Sequence, residues 1–297
     1  MTQGISHREG QITGQGGLNL YWQAWQAEAD PQTPGPTIVI AHGLGEHSAR
    51  YLRVAELLVA RGCAVYAIDH RGHGRSEGRR AFIDRFDHAV ADIDQLVDMA
   101  RHERPGSRLF LLGHSVGGAL ALDYAIKHQS KLDALLLSGP AVSLNAASAF
   151  VVQVSKILSS VAPTMGVLAI DPSAISRDPK EVEAYAIDPL IFHGKVPARS
   201  AGEAVRFVEG LPSRLATLTL PILIMHGKED TLAGVEGSEM VFRGVRSPDK
   251  TLHIYDGLRH EIFNELPADR ARVFADMTAW IDAHSGAAGS TSQSRRA

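Results

Sequence analysis

The sequence predicts an α/β fold: a mostly parallel central sheet flanked by helices, with a helical cap inserted. Three observations predict it. Short apolar runs alternate with segments of helical periodicity, the pattern of crossover units that feed a parallel sheet. Most of these runs are apolar throughout rather than alternating, as strands covered on both faces are. The alternation then stops between about Ala141 and Pro212, a stretch without a convincing buried strand.

Taken in order, Met1 to Gly17 is polar and Gly-rich and lacks the apolar core of a signal peptide. Leu18 to Trp25 reads as an edge strand of alternating character. Thr37 to Ala41 is a buried strand. Arg50 to Arg61 is a helix with Leu52, Ala55, Leu58 and Val59 on one face. Ala64 to Ile68 is a strand, and Phe86 to His102 a helix with Val90, Ile93, Leu96, Val97 and Ala100 inward. Leu109 to Leu112 is a strand, followed by a helix to about His128, then the strand Ala134 to Leu137. After the break come the strand Ile222 to Met225, the helix Val235 to Val245, the strand Thr251 to Tyr255 and the helix Pro267 to His284. The expected organisation is a core of residues 1–140 and 213–284, a cap at 141–212 and a disordered Ser-, Gly- and Ala-rich tail at 285–297.

Composition narrows the function classes. A chain of 297 residues holds one large domain or two small ones. Its net charge of −3 gives no basic field for nucleic acid. The single cysteine, Cys63, sits in an apolar run and reads as a small buried hydrophobe. No disulfide forms within the chain, which fits a reducing, cytoplasmic compartment. Ala141 to Ile170 carries one charged residue, Lys156. Pro163, Lys156 and several serines argue against a membrane span there. Two readings of this stretch stay open: a cap helix packed on the core, or a lid whose apolar face lines an acyl channel or touches a lipid surface. The second would make the protein peripheral at membranes. Oligomeric state is not legible.

Gly113-His114-Ser115-Val116-Gly117 lies between the strand Leu109 to Leu112 and a small, apolar helix. A serine with glycine at both second neighbours in that context is a nucleophile elbow, the mark of the α/β-hydrolase fold. The serine hydroxyl needs a histidine to take its proton and a carboxylate to orient that histidine. In this fold they follow in the order Ser, acid, His, each after a strand. Asp230 follows Ile222 to Met225 at a distance that suits a bend back to the serine, better than Glu229 does; capping of the next helix is its alternative role. His260 follows the last strand. His42 comes too early, His226 lies beside the acid, His253 is within a strand, and His114 is expected to point away from the hydroxyl. The backbone N–H groups of Leu44 and Val116 are the candidate oxyanion hole. No cofactor or metal is expected, since H-E-x-x-H, C-x-x-C and Walker patterns are missing.

With these residues in place, further segments carry a resemblance. They are His42-Gly43-Leu44-Gly45-Glu46-His47-Ser48-Ala49-Arg50-Tyr51, Asp69 to Gly78 (DHRGHGRSEG), Gly113 to Gly118 and His226-Gly227-Lys228-Glu229-Asp230, with Ala174 to Pro179 and Tyr185 to Leu190 inside the insertion. Over roughly Gly16 to His284 the chain resembles the monoacylglycerol lipase family, bacterial members included. It departs at Val116, where methionine is usual, but only the backbone N–H is needed there. The resemblance implies that Glu46, His47 and Arg50 shape the loop beside the oxyanion hole and that Tyr185 lies near a glycerol headgroup. The alternatives are an ion pair of Glu46 and Arg50 that simply holds the loop, and a Tyr185 buried in the cap core. Asp69, Arg71, His73 and Ser76 are expected to fix a turn. The implied function is cleavage of monoacylglycerol, a small acyl ester, to fatty acid and glycerol. A broader carboxylesterase, a lysophospholipase, a hydrolase of monoalkyl esters such as phthalates, or a non-catalytic binder on the same scaffold are the alternatives.

Overall fold

The computed structural model describes residues 4–28, 35–144 and 149–286. Among these described residues, eight strands form one sheet in the order β1-β2-β4-β3-β5-β6-β9-β10. In chain order, β1 (Ile5–Thr13) and β2 (Asn19–Ala27) form an antiparallel hairpin. β3 (Thr37–Ala41) and α1 (Leu52–Val59) are followed by β4 (Ala64–Ile68), α2 (Phe86–Glu103), β5 (Leu109–His114), α3 (Ser115–His128) and β6 (Ala134–Ser138). After the cap come β9 (Ile222–Gly227), α7 (Val235–Gly244), β10 (Lys250–Tyr255) and α8 (Pro267–His284). From β4 to β10 all pairings are parallel, whereas β2 runs antiparallel to β4.

Every residue of β3, β4, β5, β6 and β9 is buried, which is why their sequences are apolar on both faces. Successive residues serve opposite layers. Val39 and Leu111 pack with Ile93 and Leu96 of α2 and Leu120 of α3. Their neighbours Ile38, Ile40, Phe110 and Leu112 pack with Leu58 of α1 and with Met277 and Ile281 of α8.

Two expectations change at the N-terminal edge. Leu18 to Trp25 belongs to the second strand, not the edge, because β1 covers it. β1 has a polar sequence and lies mostly exposed, so it shows no apolar period; its backbone ladder to β2 holds it.

Between β6 and β9 lie α4 (Ala149–Val161), β7 (Gly166–Leu168), α5 (Pro179–Ile187), β8 (Val196–Pro197) and α6 (Ala198–Gly210). The β7–β8 pair is too short to show a period in the sequence. α4 packs along α6 and joins it through Lys156 Nζ to Glu209 Oε1 at 2.9 Å. α6 is fixed to the core where Ser200 Oγ donates to Ala81 O at 2.7 Å and accepts from Ile83 N–H at 2.9 Å. No helix among the described residues is long and apolar enough to cross a membrane. The tail expected to be disordered lies, from Ala287 onward, outside the described residues.

Candidate active site

The strand β5 runs straight into α3, and Ser115 at the junction has φ +53°, a left-handed conformation that costs a residue with a Cβ. Two glycines permit the turn. A Cβ on Gly117 would lie 2.1 Å from His42 O, and one on Gly113 would lie 2.5 Å from Gly117 O. Ser115 thereby stands at the N-terminus of α3, where unpaired N–H groups and the helix dipole favour negative charge.

Ser115 and His260 line one cavity of about 370 Å³ together with Gly43, Leu44 and Val116. His260 leaves the loop after β10, and its Nδ1 lies 2.6 Å from Asp230 Oδ2. Asp230 is richly held. Oδ1 accepts from Leu232 N–H at 2.8 Å and Ala233 N–H at 2.9 Å, and Oδ2 also lies 3.0 Å from His226 Nε2. Burial opposes ionisation of Asp230, but the two imidazoles outweigh it and hold the carboxyl below the usual range. An ionised Asp230 makes His260 Nδ1–H the donor and leaves Nε2 as the free base. Burial disfavours the charged His260 ring, yet Asp230, with Glu261 and Glu46, raises its pKa above the ordinary value. The arrangement can therefore deprotonate a hydroxyl and keep the resulting imidazolium beside a carboxylate.

Facing this, the loop after β3 is shaped by Glu46. Its Oε1 accepts from Gly43 N–H at 2.6 Å and from Tyr51 Oη–H at 2.8 Å, and its Oε2 accepts from Arg50 at 2.7 Å. Gly43 N–H is thereby taken, and Leu44 and Val116 both line the cavity. Glu46 and Tyr185 line the cavity, and the Arg50 guanidinium lies 5.0 Å from the centre of the Tyr185 ring. His47 is placed differently: its Nε2 meets Asp188 Oδ2 of the cap at 2.9 Å, tying the loop to the insertion.

Three residues gain a place that sequence reasoning missed. His114 lines the cavity, with its ring 4.7 Å from that of His260. Burial and the neighbouring His260 lower its pKa to about 4, and as a neutral ring it donates Nδ1–H to Ser138 O at 2.9 Å. His226 steadies the acid, and its position four residues before Asp230 at the end of β9 was the available signal. Glu261 lines the cavity next to His260 and accepts from both terminal nitrogens of Arg50, Nη1 and Nη2.

Of the expected acyl-lining stretch, Val152, Leu168 and Ile170 reach the cavity, joined by Val196, Ala204, Val205 and Val208. Ile157, Val161 and Met165 are exposed instead, being 54%, 73% and 47% accessible. The side chains of Phe150 and Val151 lie outside the described part.

Residues 32–267 match the family described as "Serine aminopeptidase, S33". The chain is 39% identical to the monoacylglycerol lipase of Mycolicibacterium smegmatis over 93% of its length and 97% of that protein's. It is 35% identical to human monoglyceride lipase over 93% of the chain and 91% of the relative. Among solved structures, the monoacylglycerol lipase of Paleococcus ferrophilus superposes with a TM-score of 0.79 at 30% identity, covering 90% of this chain and 99% of that one. The chain therefore belongs, with these monoacylglycerol lipases, to the α/β-hydrolase family described as serine aminopeptidase S33.

Proposed function

We propose that this protein hydrolyses monoacylglycerols to fatty acid and glycerol through an acyl-enzyme on Ser115. In this reading Ser115 Oγ attacks the ester carbonyl as His260 Nε2 takes its proton. Asp230 stabilises the imidazolium, and the Leu44 and Val116 N–H groups bind the oxyanion. His260 then protonates the departing glycerol oxygen. Water, deprotonated by the same ring, releases the fatty acid.

One observation carries the reading: the cavity is amphipathic in the way the substrate is. Its polar residues, Glu46, His114, Tyr185 and Glu261, gather with Ser115 and His260. Its remaining wall is mostly aliphatic, broken by Ser143, Ser200 and Thr231, and comes largely from the cap. An acyl chain there gains about 0.8 kcal/mol per buried methylene. Peptide chemistry on a free N-terminus would need an unpaired carboxylate for the ammonium. Glu46 and Glu261 are both engaged by Arg50, which favours the neutral alcohol of an ester. The names of the relatives agree with the ester reading.

The same reading takes 141–212 as the cap over a core of 1–140 and 213–284, since β6 and β9 are sheet neighbours across it. It gives the exposed Ile157, Val161, Met165 and Leu168 a role in contact with a lipid surface.

Competition assays with monoacylglycerol, diacylglycerol, lysophospholipid and short soluble esters test the proposal. Monoacylglycerol is expected to have the highest kcat/KM. Faster turnover of diacylglycerol or lysophospholipid would contradict it.

A further inference from the structure

The buried charges beside His260 join two loops that the chain leaves far apart. Arg50 Nη1 donates to Glu46 Oε2 and to Glu261 Oε1, each at 2.7 Å, and Nη2 donates to Glu261 Oε2 at 2.6 Å. All three side chains are buried, Arg50 at 10%, Glu46 at 5% and Glu261 at 6% exposure. One end of the cluster is fastened to the His42–Gly43 peptide, one residue before Leu44, because Glu46 Oε1 takes Gly43 N–H. The other end is the residue directly after His260. Asn264 Nδ2 donates to Glu261 Oε2 at 2.9 Å and Tyr51 Oη–H to Glu46 Oε1, so the carboxylates are held from both sides.

We propose that Glu46, Arg50 and Glu261 form a positioning strap that fixes the oxyanion loop and the His260 loop in one register, with Glu261 a positioning residue for the base. This rests on the reading of Ser115 and His260 as nucleophile and base. Stability alone is a poor reason for such a cluster. Buried ionic triads repay their desolvation incompletely, and a packed apolar set is often as stable. Geometry is a better one. The oxyanion loop contains Gly43 and Gly45, the latter at φ +84°, and backbone of that freedom needs an external hold. A bidentate guanidinium between two carboxylates is the most directional hold available to side chains.

The strap also has an electrostatic consequence. One guanidinium against two carboxylates leaves one net negative charge next to His260. The groups that face or adjoin the ring are Asp230, with His226 behind it, His114, Glu46 and Glu261, and Arg50 lies between the last two. Glu261 and Glu46 favour the imidazolium, which the reaction forms.

Glu261→Gln tests the strap, since it keeps the shape and removes the charge. On monoacylglycerol, kcat is expected to fall about 10- to 100-fold, the size of effect a small misplacement of reacting groups has, with KM changed less than about threefold. The acid limb of the pH–kcat/KM profile should move to lower pH, because His260 loses a favourable anion. Glu261→Asp should restore the limb but not kcat. If Glu261→Gln does not fold, Arg50→Lys takes its place. It keeps the charge but cannot bridge both carboxylates, so kcat should fall while the limb stays. A folded Glu261→Gln protein with wild-type kcat and an unmoved limb would overturn the proposal, as would losses that merely track unfolded protein by thermal melting. Failure of the wild-type protein to turn over esters would instead sink the reading of the site itself.

Discussion

The two halves of the insertion are attached in opposite ways. The half from Pro172 to Phe192 is fastened to both loops of the site. Glu261 N–H donates to Ile175 O at 2.8 Å, Ser176 Oγ donates to Asn264 O at 2.7 Å, and Arg177 Nε donates to the fully buried Glu265 at 2.9 Å. Glu265 in turn accepts from Arg259 N–H at 2.8 Å, beside His260. On the other loop, Asp188 meets His47, and Phe192 N–H donates to Gly45 O at 2.7 Å. The half from Ala149 to Leu168 rests on α6 and turns Ile157, Val161 and Met165 outward. One half thus belongs mechanically to the site; the other lends Val152 and Leu168 to the cavity wall and otherwise presents a surface. Chemistry should be sensitive to the first and access to the second.

Acid should break the fastened half first, and with the largest effect. The loop after β3, which it grips, begins at His42, and His42 packs with His70 and His73, all buried; His42 Nε2 accepts from His70 N–H at 2.9 Å. Burial lowers the His70 pKa to about 3 and that of His73 to about 4, and holds His42 well below 6.5. The unfolded chain binds these protons at about 6.5, so stability is full above that pH and is lost as pH falls toward 4. His260, raised by Asp230, works in the opposite direction but is a single group. Thermal melts are expected to show Tm falling steeply between pH 6.5 and 4. A flat profile would contradict the neutral assignment of this cluster.

Arg177→Ala comes next. It takes the guanidinium from the Glu265 carboxylate, which is 0% exposed, and leaves it backbone N–H donors such as Arg259. The cost should be about 3 kcal/mol, the low end for a broken buried pair because Arg177 itself is 30% exposed. Chemical denaturation measures it, and kcat should fall with it as the His260 loop loosens. A loss below about 0.5 kcal/mol would mean that this half is not fastened as described.

The smallest effect belongs to the outward half. Ile157→Ser with Val161→Ser should change stability by less than about 0.5 kcal/mol, as surface substitutions do. Turnover of a soluble short-chain ester should be unchanged, while turnover of monoacylglycerol in vesicles should drop several-fold. Equal turnover on vesicles would remove the surface from the account.

How much of this the sequence displayed follows from the range of the interactions. Continuous apolar strands and the tight glycine turn are local, so β3 to β6, β9 and the elbow were readable residue by residue. Asp230 and His260, which the structure brings together, could be picked out because fold order restricts where an acid and a base can stand. β1 escaped notice because its edge position demands no apolar face. The ion pair of Glu46 and Arg50 spans four residues and was weighed as an alternative; Glu261, 211 residues from Arg50, carried no local sign. His114 shows the limit of local reasoning: expected to point away, it packs on His260 because β6 supplies Ser138 O beside it.

The central claim is that Ser115 is the nucleophile held in this frame. Its most direct test is peptide mapping by mass spectrometry after reaction of the folded protein with a fluorophosphonate, alongside Ser115→Ala assayed on monoacylglycerol. The account predicts a single adduct on Ser115 and a loss of turnover of about 10³-fold or more in the folded variant. An adduct on another residue, or a folded Ser115→Ala protein that keeps its activity, would contradict it.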